Sequence, residues 1–223
     1  HELKAPLNSV LGAAYVLRGY FQDELDDKAE NLFNVIFQGG DRLQNLIKDL
    51  IDLSKFESTN KRLKKVKTDI TYILQHCIDS FNSTLKERKL KFKFLIKDKI
   101  ILKINPILIK QVFKNLLSNS IKNTPPLGKI EISSQNFQNY IEINIKDTGV
   151  GFTDKEKGMI FKKFGKIERF GQGLNIISEG AGLGLYLSKK IIELHDGEIY
   201  FKSEGRNEGT TFAVRLPKNT EST

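Results

Sequence analysis

Three glycines, Gly180, Gly182 and Gly184, alternate with other residues directly before a stretch with helical apolar spacing. That spacing predicts a helix over residues 183–195. Bare backbone amides can approach a ligand closely at the N-terminus of such a helix, where the helix dipole favours negative charge. The pattern predicts an anion site, and a flexible loop that meets a helix cap is the alternative. The spacing is not that of a P-loop or of a dinucleotide-binding fingerprint.

A second candidate site lies on a predicted helix over residues 106–123, which carries Asn115 and Asn119. Asparagine is a poor helix former, and a spacing of four residues places both carboxamides on one face of a helix. Lys122 follows three residues later and lies near the same face. The simpler explanation of the two asparagines is a polar helix face that is exposed to solvent. The alternative is a binding site on that face.

A third group of polar and small residues stands at the end of a predicted strand over residues 140–147, whose apolar residues alternate. Asp147 is the last residue of this strand, and Gly149 and Gly151 follow it. Glycine favours a turn there because it adopts backbone conformations that other residues avoid. Turn formation alone is enough to explain these three residue types.

The three groups belong to the second of two predicted domains. Residues 1–58 are predicted to form a helical hairpin, residues 59–66 a polar and basic linker, residues 67–218 a mixed domain and residues 219–223 a tail. Predicted helices of the mixed domain cover residues 69–86, 106–123 and 183–195, and predicted strands cover 90–96, 100–104, 129–137 and 140–147, with two more strands at the end. Gln138 and Asn139 are expected to form the turn of a β-hairpin. The mixed domain is therefore predicted to be an α+β two-layer sandwich.

The N-terminal hairpin carries apolar stripes on both of its helices. In the first helix the stripe is Leu3, Leu7, Val10, Ala14, Leu17 and Phe21. The second helix has a similar series, weakened in its middle by Gly39 and Gly40. Two helices alone have too little surface to form a core, so we predict a homodimer in which two hairpins make a four-helix bundle.

Composition restricts the class of protein. The formal charge is +9, but lysines at residues 89–94 alternate with apolar residues as on the outer face of a strand, and no nucleic-acid motif is present. The longest apolar runs are far too short to cross a membrane. Cys77, the single cysteine, is predicted to be a buried apolar residue, and His195 a cation that suits a helix C-terminus. A cytoplasmic globular protein that binds neither nucleic acid nor membrane is expected.

Four segments, in this order, resemble the motifs of sensor histidine kinases. They are HELKAPL at residues 1–7 (the histidine box), NLLSNSIK at 115–122 (the asparagine box), and DTGVG at 147–151 and GAGLGL at 180–185 (the two glycine boxes). Each motif alone is weak, but together they cover nearly the whole chain and are very specific. The resemblance implies a phosphoacceptor hairpin followed by the ATP-binding domain of the superfamily that contains gyrase, Hsp90, histidine kinases and MutL.

The resemblance also implies a reaction. ATP would phosphorylate His1, Glu2 would orient the ring and take its proton, and the phosphoryl group would pass to an aspartate of a response regulator. Asn119 would coordinate Mg²⁺ with support from Asn115, and Lys122 would contact the phosphates.

In the same family an aspartate that matches Asp147 accepts a hydrogen bond from the amine of adenine. The other nucleotide contacts implied are Gly149, Gly151, Lys166, Gly180, Gly182, Leu183, Gly184 and Thr210. Residues 153–179 would form a lid, with Phe161 and Phe164 as its anchors on the core.

The chain departs from the family at three positions, and two other functions stay open. Ala5 stands where members with phosphatase activity have threonine or asparagine, Asn123 replaces an aromatic residue, and Lys166 replaces an arginine. One alternative is a pseudokinase scaffold that binds ATP and transfers nothing. The other is an ATP-operated clamp, which would need a catalytic glutamate before Asn119 that this chain lacks. We expect a membrane-bound or cytosolic sensor upstream of His1.

Overall fold

The N-terminal part of the chain is a pair of antiparallel helices, α1 (Lys4–Tyr20) and α2 (Asp27–Ser58). The structure, a computed structural model, describes residues 4–58, 63–165 and 182–218. Leu11 and Ala14 of α1 are buried against Phe37 of α2. Gly40 permits this seam, because a Cβ there would overlap the side chain of Leu11. The predicted helical hairpin is confirmed, although the predicted stripe omitted Leu11.

A second apolar surface of the hairpin faces outward. Val10, Leu17 and Phe21, which belong to the predicted stripe, are 60%, 49% and 48% exposed. Among the side chains of α2 that the structure describes, the exposed large apolar ones are Leu32, Val35, Ile36, Leu43 and Leu50. Within the described ranges, none of the helices combines the length and the apolar character needed to cross a membrane.

The mixed domain follows the hairpin. Its elements in chain order are β1 (Val66–Asp69), α3 (Ile70–Asp79), α4 (Asn82–Glu87), β2 (Lys91–Phe94), β3 (Ile101–Ile104), α5 (Pro106–Asn123), β4 (Lys129–Asn136), β5 (Tyr140–Asp147), α6 (Asp154–Lys157), α7 (Gly184–Leu194), β6 (Glu198–Lys202) and β7 (Thr210–Pro217). One sheet has the order β2-β4-β5-β7-β6, in which β2 runs parallel to β4 and the other neighbours are antiparallel. β1 and β3 form a separate antiparallel pair.

Helices α3, α5 and α7 cover one face of the five-stranded sheet. Alternate residues of β5, namely Ile141, Ile143 and Ile145, point into a core shared with these helices. Asn105 caps α5, since its Oδ1 accepts the amide of Leu108 at 3.1 Å. The predicted helix at 106–123, the strand at 140–147 and the two-layer α+β arrangement are confirmed.

The other face of the sheet carries a polar network around Glu142, whose side chain is 8% exposed. Its Oε2 accepts hydrogen bonds from Nε of Arg215 and from the hydroxyl of Tyr200, both at 2.7 Å. Asn144 donates to its Oε1 at 3.2 Å. Burial alone would raise the pKa of Glu142, but the hydrogen bonds from Tyr200, Arg215 and Asn144 outweigh it and leave that pKa lowered. The network joins β5, β6 and β7 through charged hydrogen bonds.

At the start of the mixed domain the structure differs from the prediction in one helix and one strand. The helix predicted over residues 69–86 is two helices, because polar side chains compete for the backbone at the break between α3 and α4. There the hydroxyl of Ser80 donates to the backbone carbonyl of Cys77 at 2.6 Å. Nδ2 of Asn82 also donates to the side-chain Oδ1 of Asp79 at 3.4 Å. Strand β1 was not predicted; it forms because its backbone pairs with β3.

Candidate functional site

Asn115 and Asn119 lie on one face of α5, and both are half-buried. Nδ2 of Asn115 donates a hydrogen bond to Oγ of Ser188 on α7, 2.9 Å away. Nδ2 of Asn119 lies 3.5 Å from Oδ1 of Asn115, which is a long hydrogen bond. The asparagine face is therefore packed against α7, so a solvated helix face does not describe the pair.

The glycines before α7 are required by close packing. A Cβ on Gly184, the first residue of α7, would overlap the carboxamide of Asn115. Gly182 has a left-handed backbone with φ of 70°, and a Cβ there would contact the backbone at residues 164–165. Leu183, between these two glycines, is fully buried. The bare backbone at the N-terminus of α7 consequently lies directly against the asparagine face of α5.

Asp147 ends β5 and is 4% exposed. Its Oδ1 accepts the backbone amides of Gly149 at 2.9 Å and of Thr210 at 3.2 Å. Thr210 is buried and begins the neighbouring strand β7. Gly151 has φ of 58°, and a Cβ there would overlap the carbonyl oxygen of Gly205. The carboxylate therefore holds the glycine turn against the next strand, and two amides fix its orientation.

Asn123 connects the asparagine face to this glycine turn. Its Nδ2 donates to the carbonyl oxygen of Asn119 at 2.8 Å, and its own carbonyl accepts the amide of Val150 at 3.1 Å. The carboxamide thus closes the last turn of α5 at the position where the family has an aromatic residue. Lys122 is half-buried in the same turn. Helix α5 is in contact with α7 on one side and with the turn after β5 on the other.

Part of the predicted site lies outside the described residues, namely His1, Glu2, Lys166 and Gly180. The first part of the predicted lid is described up to residue 165. Phe161 packs on the core, with its ring centroid 5.9 Å from that of Phe201. The expectation that Phe164 also anchors the lid on the core is wrong, because its side chain is 55% exposed.

Sequence reasoning missed two parts of this region. Ser188, which bonds Asn115, stands four residues after Gly184 on the same face of α7, and that spacing was the available signal. The loop between β6 and β7 also holds the glycine turn, because Oγ of Ser203 accepts the amide of Phe152 at 3.0 Å and donates to the carbonyl of Gly209 at 2.8 Å. That loop has the composition of an ordinary turn, so no signal in it identified this contact.

The buried histidine His195 is not the cation that its position at a helix end predicted. Its Nδ1 donates to the carbonyl of Ile191 at 2.7 Å, and its Nε2 accepts the amide of Asn105 at 3.0 Å. One ring nitrogen must accept a hydrogen bond, so the ring is neutral. Burial lowers the pKa of His195, which also favours the neutral ring. The ring joins the C-terminus of α7 to the start of α5.

The thiol of Cys77 behaves as predicted for a buried apolar residue. It is completely buried in the core between α3 and α5. Burial raises its pKa to about 11, which removes the thiolate form at neutral pH. Cys77 therefore has no part in the candidate site.

Comparison with protein families supports the same two-part organisation. Residues 104–220 match the model of the histidine kinase-, DNA gyrase B-, and HSP90-like ATPase family, and residues 1–59 match the His Kinase A (phospho-acceptor) domain. A hairpin followed by an ATPase-type two-layer domain defines the catalytic core of a sensor histidine kinase. Because the first match covers more than half of the 223 residues, the chain belongs to the histidine kinase-, DNA gyrase B-, and HSP90-like ATPase family.

Curated relatives are longer than this chain. The circadian input-output histidine kinase CikA of Synechococcus elongatus is 27% identical over 99% of the chain, which covers 29% of CikA. The histidine protein kinase DivJ of Caulobacter vibrioides is 28% identical over 97% of the chain, which covers 36% of DivJ. The chain thus spans about a third of the length of these relatives.

Solved structures share the fold. Full-length ShkA in complex with AMPPNP superposes with a TM-score of 0.73 at 21% identity, over 97% of this chain and 44% of ShkA. The histidine kinase ThkA in complex with the response regulator protein TrrA gives a TM-score of 0.69 at 23% identity, over 100% of this chain and 60% of that chain.

Proposed function

We propose that this chain is the catalytic core of an autophosphorylating protein-histidine kinase, which transfers the γ-phosphoryl group of ATP to His1. The observation that carries the proposal is the contact between three segments that are distant in sequence. The start of α7 lies against Asn115, and Asn123 connects α5 to the turn that follows Asp147. These segments correspond to the asparagine box and to the two glycine boxes of the family, so they offer one continuous site for a nucleotide.

Within this site we assign the adenine end to Asp147. A buried carboxylate accepts a hydrogen bond from the exocyclic amine of adenine, whereas guanine presents a carbonyl oxygen there and would leave two acceptors facing each other. A side chain at Gly149 or Gly151 would overlap neighbouring backbone, so these glycines keep the turn in the shape that presents Asp147. The phosphates would lie toward the N-terminus of α7, where backbone amides and the helix dipole favour anions, with Lys122 as a further cation.

The donor set suits a magnesium ion that arrives with the nucleotide. Mg²⁺ takes oxygen ligands, keeps several waters, and binds through one or two protein groups together with phosphates. Asn119 offers such an oxygen and Asn115 supports it, while the described ranges contain no cluster of three or more His, Cys, Asp or Glu side chains that could hold a metal by themselves. When bound, the ion would neutralise charge on the phosphates.

The proposed transfer takes place on the hairpin. A ring nitrogen of His1 forms a bond to the γ-phosphorus as the bond from phosphorus to the ADP oxygen breaks, and Glu2 takes the ring proton. The phosphoryl group then passes to an aspartate of a response-regulator receiver domain. The match of residues 1–59 to a phosphoacceptor domain supports this assignment, and so does the structure of ThkA with its response regulator.

We also propose that the working form is a homodimer. The seam between α1 and α2 buries Leu11, Ala14 and Phe37, but it leaves the outward apolar surface of Val10, Leu17 and their neighbours exposed. A second hairpin would cover that surface as a four-helix bundle, which is the economical way to bury two such stripes.

The setting of this core is part of the proposal. Relatives about three times longer support a sensor region elsewhere in the same protein. ATP and a receiver domain are both available in the cytoplasm, so we place the core there, as a free protein or as the cytoplasmic part of a membrane-bound sensor.

The absence of a carboxylate on α5 favours phosphotransfer over an ATP-operated clamp. Hydrolytic members of the superfamily carry a glutamate on this helix before the metal-binding asparagine. Pro106–Asn123 contains neither Asp nor Glu, and Lys114 and Ser118 stand nearby in the sequence before Asn119. No general base for an attacking water is therefore available from α5.

The test is Mg²⁺-dependent labelling by γ-labelled ATP in the variant Asn119→Asp. A carboxylate at this position loses the Nδ2 donor toward Asn115 and adds negative charge beside the phosphates, so we expect labelling to fall below detection while the melting temperature stays close to that of the wild type. Asn139→Asp, the same change in the exposed turn between β4 and β5, is the matched control and should label at the wild-type rate. Wild-type labelling of Asn119→Asp would contradict the assignment.

A further inference from the structure

Ser188 is a buried polar residue on an otherwise apolar face of α7. It is 2% exposed, and its neighbours Leu187, Ile191 and Ile192 are buried apolar residues. A hydroxyl in such surroundings destabilises the fold unless it is hydrogen-bonded. Its Oγ accepts Nδ2 of Asn115 across 2.9 Å. Packing alone does not need a hydroxyl at this position, so the contact with Asn115 requires its own explanation.

In this hydrogen bond the carboxamide of Asn115 presents its nitrogen to Ser188. With Nδ2 held by Ser188, Oδ1 at the other edge of the planar carboxamide is 3.5 Å from Nδ2 of Asn119. The carboxamide has little room to rotate, because the backbone of Gly184 lies against it so closely that a Cβ would overlap its atoms. Helix α7 therefore fixes Asn115 from two sides.

The orientation of Asn115 in turn sets the orientation of the carboxamide of Asn119. Since its Nδ2 faces Oδ1 of Asn115, its own Oδ1 lies on the side of the amide away from Asn115. An oxygen is the ligand atom that a hard cation takes, whereas an amide nitrogen is not a ligand. If the carboxamide of Asn119 were rotated by 180°, it would present Nδ2 to the cation in place of Oδ1.

We propose that Ser188 is a positioning residue for the metal ligand Asn119 and acts through Asn115. The inference rests on the proposed function, because it concerns the Mg²⁺ of a bound nucleotide. Groups that hold a metal ligand in place commonly change metal affinity by about 10- to 100-fold when they are removed. Ser188 makes this contribution from a second helix, so α7 also orients the metal-binding face of α5.

The experiment is a Mg²⁺ titration of ATP binding, measured by calorimetry on the whole chain, together with ATP binding in the presence of EDTA. For Ser188→Ala we expect the Mg²⁺ concentration at half-saturation to rise about tenfold. The ATP affinity measured in EDTA should stay within about twofold of the wild-type value. Ser188→Cys has nearly the same volume but only a weak acceptor, so it should resemble Ser188→Ala. An equal loss of binding with and without Mg²⁺ would overturn the proposal, since it indicates a purely structural role.

A double-mutant cycle with Asn115→Ala tests the route of the effect. If Ser188 acts through Asn115, adding Ser188→Ala to Asn115→Ala should leave the Mg²⁺ midpoint unchanged. Additive effects of the two substitutions would overturn the inference. The proposed function is tested separately by the wild-type titration: ATP binding that does not respond to Mg²⁺ in the wild type would reject that function and this inference with it.

Discussion

The backbone amide of Gly149 donates to Oδ1 of Asp147 across 2.9 Å, in the turn that directly follows β5. The amide of Thr210 donates to the same oxygen. One carboxylate therefore shapes the turn and, in the proposed function, recognises the base. These two roles can be separated by a substitution that keeps the shape of the side chain.

Asp147→Asn is that substitution. The remaining carbonyl oxygen can still accept the two amides, so the fold should persist. The other oxygen is replaced by an NH₂ group, which carries no charge and cannot accept a hydrogen bond from the adenine amine. We expect ATP affinity to fall about 10- to 100-fold. The measurement is ATP binding by calorimetry, with Asp79→Asn on the exposed end of α3 as the control. Unchanged ATP affinity in Asp147→Asn would show that this carboxylate does not contact the nucleotide.

The adjacent glycines of α2 give a matched pair of substitutions. A Cβ at Gly40 would overlap Leu11 of α1, whereas a Cβ at Gly39 meets no atom within 4 Å. Gly39→Ala should stabilise the hairpin by about 0.5–1 kcal/mol, because alanine is the better helix former. Gly40→Ala should destabilise it by about 1–3 kcal/mol through overpacking of the seam.

Thermal unfolding followed by far-ultraviolet circular dichroism compares the two alanine variants. The essential result is that the two substitutions change the stability in opposite directions, since helix propensity alone predicts that both stabilise the hairpin. If Gly40→Ala were as stable as Gly39→Ala, α1 and α2 would not pack through Leu11.

The Glu142 network gives a pH dependence with a defined sign. The pKa of Glu142 is lowered in the folded chain, so this carboxylate stabilises the fold above its unfolded pKa of about 4.3, and the contribution is lost as pH falls through the folded pKa. Glu142→Gln should lower the melting temperature at pH 7 by about 3–6 °C. The difference from the wild type should shrink as the solution is acidified below about pH 4.

Glu198→Gln is the control for the Glu142 experiment, because Glu198 binds the same Arg215 at 3.0 Å but its side chain is 62% exposed. Exposed ion pairs contribute little, so its melting temperature should stay within about 1–2 °C of the wild type. Equal effects of Glu142→Gln and Glu198→Gln would contradict the role of the buried network.

Elements with strong periodicity and clear end signals could be predicted from the sequence. Pro106 and Asn105 mark the start of α5, and alternating isoleucines mark β5, so both were located to the residue. The break after α3 was missed because the local hydrogen bonds of Ser80 compete with an apolar pattern that continues into α4. β1 depends on pairing with β3, a long-range contact that no local pattern contains.

The residue types of the candidate site were recognisable, but their partners were not. Motifs identified Asn115 and Gly184, yet only the packing of α5 on α7 brings these two residues into contact. His195 was misjudged for the same reason. A position at a helix end favours a cation, but the amide of Asn105 requires a neutral ring that can accept a hydrogen bond.

Labelling of the chain with γ-labelled ATP and Mg²⁺ tests the central claim most directly. We predict an acid-labile, alkali-stable phosphoryl group on the wild-type protein, as expected of phosphohistidine, and no such label on His1→Gln, which should still bind ATP with wild-type affinity. A wild-type protein that binds Mg²⁺ and ATP but acquires no label would contradict the account, as would a label of equal strength on His1→Gln.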